Sequence, residues 1–163
     1  MSARARYGQL ALIIAGILVA AYLTLLHYDT RIPLVCSDHG FVDCQSVLSS
    51  PESTWFGLPV SLFGLFWFVS YGVLVIFRPQ ALWVGRSLAM VGAATVLYLV
   101  YVEFVVLGTV CLWCSSLHVL ILTLLVIELF QWATWQDRTA EAEFSMVPNR
   151  ISGRKSSGHG ESL

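Results

Sequence analysis

Four cysteines, Cys36, Cys44, Cys111 and Cys114, carry the chemistry open to this chain. Cys111-Leu-Trp-Cys114 is a C-x-x-C, a spacing that serves thiol–disulfide exchange and zinc binding alike. It stands where an apolar run begins, so a helix starting there turns its peptide dipoles and free amide groups toward the sulfurs. A thiol so placed is more acidic than a free one and ready for exchange. Haem attachment needs a histidine directly after the second cysteine, and here Ser115 follows. A tetrathiolate zinc site would take Cys36 and Cys44 as its second pair, but the gap between them is wider than the usual spacing of about two to four residues. Two readings of the cysteines stay open: redox pairs, or structural staples for a loop.

The elements that position these sulfurs are apolar. With 57% hydrophobic and 12% charged residues in 163, and a mean hydropathy of +0.75, the composition is wrong for a soluble core of this size. It fits an all-α membrane protein. The net charge of −1 comes with scattered basic residues and no Lys/Arg stripe, so nucleic acid is not an expected partner. Four apolar segments, at about residues 10–28, 60–77, 87–107 and 112–132, reach the roughly 20 residues that a bilayer crossing requires. The first follows Arg4 and Arg6 as a signal peptide would, but it is long for that role and residues 24–28 offer no small-residue cleavage site. It is read as a retained helix. Residues 29–59 then form a loop between the first two helices of a four-transmembrane-helix bundle over residues 1–132. Residues 133–163 form a polar cytoplasmic tail, expected to be disordered, whose Ser/Gly-rich end at 151–163 is too polar to build a core.

Orientation follows from the basic residues. Arg4, Arg6, Arg78, Arg86, Arg138, Arg150, Arg154 and Lys155 fall on one side of this arrangement and only Arg31 on the other. The positive-inside rule makes both termini cytoplasmic and turns the loop and the short segment at 108–110 outward. Every cysteine then lies in or beside the extracytoplasmic face, where disulfides form and persist.

Three stretches, Cys36-Ser-Asp-His-Gly-Phe-Val-Asp-Cys44-Gln-Ser-Val-Leu-Ser-Ser50, Phe56-Gly-Leu-Pro-Val-Ser-Leu-Phe-Gly64 and Cys111-Leu-Trp-Cys114, together resemble the vitamin K epoxide reductase family over about residues 10–132. The resemblance implies a four-helix bundle around a quinone site near the outer surface, with the outer loop folded over it. It implies that Cys111 and Cys114 are the active-site pair, with Cys114 beside the quinone, menaquinone or ubiquinone. Cys36 and Cys44 become a shuttle pair in which Cys44 exchanges with Cys111. Ser50 and Phe56 are the loop residues expected beside the quinone. Vitamin-K-reducing members have an asparagine where this chain has Val60, and a tyrosine where it has His118. Both differences favour quinone reduction over epoxide reduction. Some bacterial members carry a fused thioredoxin-like domain, and this chain is expected to draw electrons instead from a separate DsbA-like thioredoxin-fold protein.

Physical logic supports the same relay. A soluble dithiol protein cannot reach a quinone dissolved in lipid, so an outer, mobile cysteine pair must pass electrons to an inner pair at the bilayer edge by thiol–disulfide exchange. Cys114, Leu117, His118 and Ile121 lie at i, i+3, i+4 and i+7 and share a helix face. A flat apolar ligand can stack there, with His118 as hydrogen-bond donor or proton source; the alternative is a histidine bonded to a neighbouring helix backbone. Glu103 is expected to be paired or interfacial, with a proton path as the other possibility. His27, Trp55, Trp132 and Trp135 are read as interfacial residues. The acids Asp38, Asp43 and Glu52, balanced only by Arg31 and His39, are read as a solvated face. Pro33, Gly40 and Pro51 break the loop, leaving room for a short helix at about residues 44–48. The competing functions are vitamin K epoxide reduction proper and a purely structural membrane protein with stapling disulfides.

Overall fold

The computed structural model describes residues 3–29, 31, 36, 40–77 and 82–156. Pro33, Asp38, His39 and Arg78 lie outside the described residues. The long helices are α1 (Ala3–Tyr28), α3 (Val60–Phe77), α4 (Leu82–Tyr101) and α5 (Leu112–Ser156), with a short α2 (Cys44–Leu48) in the loop after α1. Four segments are long and apolar enough to cross a membrane: Arg6–Tyr28, Val60–Phe77, Trp83–Leu107 and Leu112–Glu141. The chain is an all-α, multi-pass membrane protein. Its third span begins earlier and its fourth ends later than hydropathy alone suggests.

The chain divides into two compact units, Met1–Glu128 and Leu129–Leu163. In the second unit α5 continues to Ser156. The stretch expected to be disordered is therefore helical as far as 156, because its Ala, Glu, Gln and Arg residues are good helix formers even without an apolar face. Residues 157–163 lie outside the described residues.

In the first unit the core is built from one stripe of each long helix. It comprises Ile13, Ala20 and Leu23 of α1, Phe68, Tyr71 and Val75 of α3, Ala89 and Val96 of α4, and Leu117, Ile121 and Leu124 of α5. Large apolar side chains such as Leu18, Phe66, Leu97 and Val119 are exposed on the other faces, as expected of helices that are hydrophobic all round and covered by lipid. With lipid as apolar as the core, close packing decides the contacts. Gly16 is an example: a Cβ there would sit 2.3 Å from the Phe68 ring. Two polar pairs cross between helices, the Tyr71 hydroxyl donating to Glu128 Oε1 at 2.6 Å and Trp67 Nε1 donating to the Leu88 carbonyl at 2.9 Å.

The loop over the bundle is locally determined. Asp43 caps α2 by accepting from the Ser46 amide at 2.9 Å, an N-cap arrangement that starts the helix at Cys44. The short helix expected at 44–48 has those bounds. A 3₁₀ turn at Pro51–Ser53 leads into a small antiparallel hairpin, β1 (Thr54–Trp55) with β2 (Leu58–Pro59), paired Thr54 to Pro59 and Trp55 to Leu58. Its turn residues Phe56 and Gly57 both have positive φ, 55° and 79°, which suits the right-handed twist of a two-residue hairpin.

Candidate functional site

The loop between α1 and α3 meets the start of α5 through backbone hydrogen bonds. The Val110 amide donates to the Phe41 carbonyl at 3.0 Å and the Asp43 amide donates to the Val110 carbonyl at 3.2 Å. This parallel bridge between Val42 and Val110 sets a residue two before α2 beside the residue before Cys111. Cys44 and Cys111, both fully buried, then fall into one cluster with Val47, and Cys36 and Cys114 pack against it. Cys36 and Cys44 form a disulfide with Cα atoms 6.2 Å apart, while Cys111 and Cys114 are free thiols. All four cysteines singled out in the sequence are brought together.

Cys111 immediately precedes α5, and its sulfur accepts from the Cys114 backbone amide at 3.3 Å. That is the geometry of an N-cap, with sulfur in the place of oxygen. The Cys114 thiol hydrogen-bonds to the Cys111 sulfur and, with the amide, holds the Cys111 thiol below its ordinary value against the cost of burial and the charge of Glu103. Cys111 is thus the sulfur of the pair that the helix start favours toward the thiolate, as helix N-termini do.

Beneath the cysteines lies a cavity of about 370 Å³. Its roof comes from the loop, through Val47, Leu48, Ser50, Glu52, Ser53 and Trp55. Its walls come from α3 and α4, including Val60, Gly64, Trp67, Thr95 and Val96. Cys114, Leu117, His118 and Ile121 supply the α5 face, the same four residues whose helical spacing placed them together. Mostly apolar walls, two tryptophans and a few polar groups are what a flat, lipid-soluble ring needs, so the lining fits a quinone.

The polar groups differ in what they can offer. Ser50 is buried, and its hydroxyl donates to the Val47 carbonyl at 2.9 Å, which leaves its lone pairs to accept. His118 is 7% exposed and lines the cavity; among the described residues its ring makes no hydrogen bond, so it is not held by a neighbouring helix backbone. Glu103 is 4% exposed, which replaces the interfacial position expected for it with a buried one. It sits in a widened π turn, Val102–Leu107, closed by Gly108 in the left-handed conformation at φ 65°. Phe56 is 98% exposed and is not among the residues that line the cavity.

Several lining residues escaped the sequence reading. Trp55 and His27 line the cavity instead of serving only at an interface, and Trp55 packs against Phe63 and Tyr98 with ring centroids 6.0 and 5.8 Å apart. Glu52, read as a solvated acid, also lines it and has one carboxylate oxygen buried without a hydrogen-bond partner among the described residues. Asp43 is a helix cap. No spacing signal marks Trp67 or Thr95, since a wall made by two further helices has no common sequence period.

Residues 9–129 match the family model described as the Vitamin K epoxide reductase family. No curated protein matches the chain as a relative.

Proposed function

Because the chain belongs to the vitamin K epoxide reductase family, we propose that this membrane oxidoreductase reoxidises a thioredoxin-fold, disulfide-forming protein and passes the electrons through its two cysteine pairs to a membrane quinone. The observation that carries this reading is the burial of Cys44, in disulfide with Cys36, against Cys111, while Cys114 lines the apolar cavity. Outer pair, inner pair and acceptor site are contiguous in that order.

Each step follows from the residues. A thiolate of the partner attacks the Cys36–Cys44 disulfide, and the second partner thiol releases it, leaving the outer pair as dithiol. Cys44 attacks the disulfide form of the inner pair at Cys111, and Cys36 resolves the mixed disulfide, so the inner pair becomes dithiol. The quinone, when bound, supplies the two-electron sink. Cys114 faces it, Cys111 closes the disulfide as the two electrons leave, and His118 offers a proton within the cavity. Val60 on the cavity wall provides no amide to hold a second oxygen function, which favours quinone over epoxide. Eight basic residues on one side of the spans favour cytoplasmic termini and an extracytoplasmic site.

The test is Cys114→Ala in purified protein given a reduced thioredoxin-fold donor and a soluble quinone, with epoxide offered in parallel. Loss of thiol-dependent quinone reduction supports the relay. Undiminished turnover overturns it, and a preference of the unaltered protein for the epoxide overturns the choice of acceptor.

A further inference from the structure

We infer that Glu103 is the acid–base group of the inner cysteine pair, taking the proton of Cys111 as that sulfur is oxidised and returning it, within the cavity, to the reduced acceptor. The inference rests on the quinone-reducing reading above and adds to it the route of one proton.

Position comes first. Glu103 lines the same cavity as Cys114 and His118, and its carboxyl approaches the backbone amide of Cys111. One side chain therefore shares the cavity with Cys114 and lies at the backbone that leads into Cys111. The backbone keeps it there: the Glu103 carbonyl accepts from the Gly108 amide and from the Thr109 amide at 3.2 Å. The π turn between Val102 and Leu107 inserts an extra residue into the helical repeat, a device frequent at functional sites.

Cost comes second. A carboxylate that is 4% exposed in an apolar bundle is expensive unless it is paired or protonated. Among the described residues no lysine or arginine forms an ion pair with it. The titratable groups that line the cavity with it are Cys114 and His118 of α5, Glu52 of the loop and His27 of α1, and Cys111 precedes α5 beside them. None of them is a permanent cation. A carboxyl that exchanges a proton with a neighbouring thiol has a use for such a place.

The step balances with one quinone and no further co-reactant. Two S–H bonds break, one S–S bond forms between Cys111 and Cys114, and two electrons go to the quinone. Its two oxygens take two protons, that of Cys111 through Glu103 and that of Cys114 through His118.

The experiment uses the full-length protein, reduced and free of quinone, carrying Glu103→Gln. Alkylation of Cys111 by iodoacetamide is followed against pH, and quinone reduction is then measured on the same sample. Removing a negative charge beside the sulfur moves the alkylation curve to lower pH, while loss of the proton carrier slows turnover by about 100-fold, the usual scale of general acid–base catalysis. More thiolate with slower reduction is a combination that a packing defect does not produce. Glu103→Asp keeps the alkylation curve near that of the unaltered protein and recovers part of the rate. Wild-type turnover in Glu103→Gln overturns the inference, as does slow turnover with an unmoved alkylation curve. An infrared difference spectrum of the unaltered protein, dithiol minus disulfide, needs no variant to fold: a carboxyl band is expected, and its absence overturns the inference. Inactive Cys114→Ala with fully active Glu103→Gln removes the role of Glu103 alone, whereas active Cys114→Ala removes the relay itself.

Discussion

Gly64 offers a way to fill the cavity without disturbing what surrounds it. The residue lies on α3 and lines the cavity, yet a Cβ built there meets nothing within 4 Å. Gly92 lines the same cavity, but its Cβ would come 2.7 Å from the Trp67 ring. Leucine at position 64 places about four carbons in a space of about 370 Å³ and excludes roughly as many ligand carbons. At about 0.8 kcal/mol per buried CH₂, the lost burial is roughly 3 kcal/mol, or about two orders of magnitude in binding. Gly64→Leu should therefore raise the KM for a soluble quinone by roughly 100-fold. Its thermal unfolding in detergent should be no lower than that of the unaltered protein, since replacing a mid-helix glycine favours the helix by up to about 1 kcal/mol. Exchange between the two cysteine pairs, read by mass spectrometry of trapped disulfides, should be unchanged. An unaltered KM in a folded Gly64→Leu protein refutes the assignment of this cavity to the acceptor. Gly92→Ala is the contrast, expected to lower stability by moving Trp67 off the Leu88 carbonyl.

Three further outcomes follow from the packing. Gly16→Ala, with its Cβ against the buried Phe68 ring, should cost about 1–3 kcal/mol of stability, while Gly8→Ala, which meets nothing within 4 Å, should cost none; unfolding midpoints in one detergent compare them. Tyr71→Phe removes the donor to Glu128 and leaves a buried carboxyl oxygen unpaired, so stability should fall by roughly 1–3 kcal/mol, measured the same way. Asp43 is held below its ordinary carboxylate value of 3.8, first by the Ser46 hydroxyl and then by the Ser46 amide. A carboxylate whose folded value is depressed contributes above its unfolded value and loses that contribution as pH falls through the folded one. The protection of the α2 amides against hydrogen exchange should accordingly fall only below about pH 4, and Asp43→Ala should show the lower protection at neutral pH.

Much of this protein is legible in its residues because hydrophobic length and local spacing are one-dimensional signals. Four apolar runs identify four crossing helices, and the helix over residues 44–48 is readable from the breakers around it. Cys114, Leu117, His118 and Ile121 share a face by helical arithmetic alone, and the structure places all four on the cavity. The run of α5 past 132 was hidden because helicity there rests on propensity and not on an apolar pattern.

The sequence by itself determined the membrane class, the four-helix plan and the cysteines as the chemical groups, since each depends on composition or on residues close in the chain. Tertiary structure alone decided which sulfur meets which. The backbone bridge between Val42 and Val110 sets Cys44 against Cys111 across a separation that no local pattern encodes. Tertiary structure also buried Glu103, set it and Glu52 on the cavity wall, and left Phe56 exposed. A side chain's environment is made by the other helices that pack around it, and their contribution exists only once they have come together.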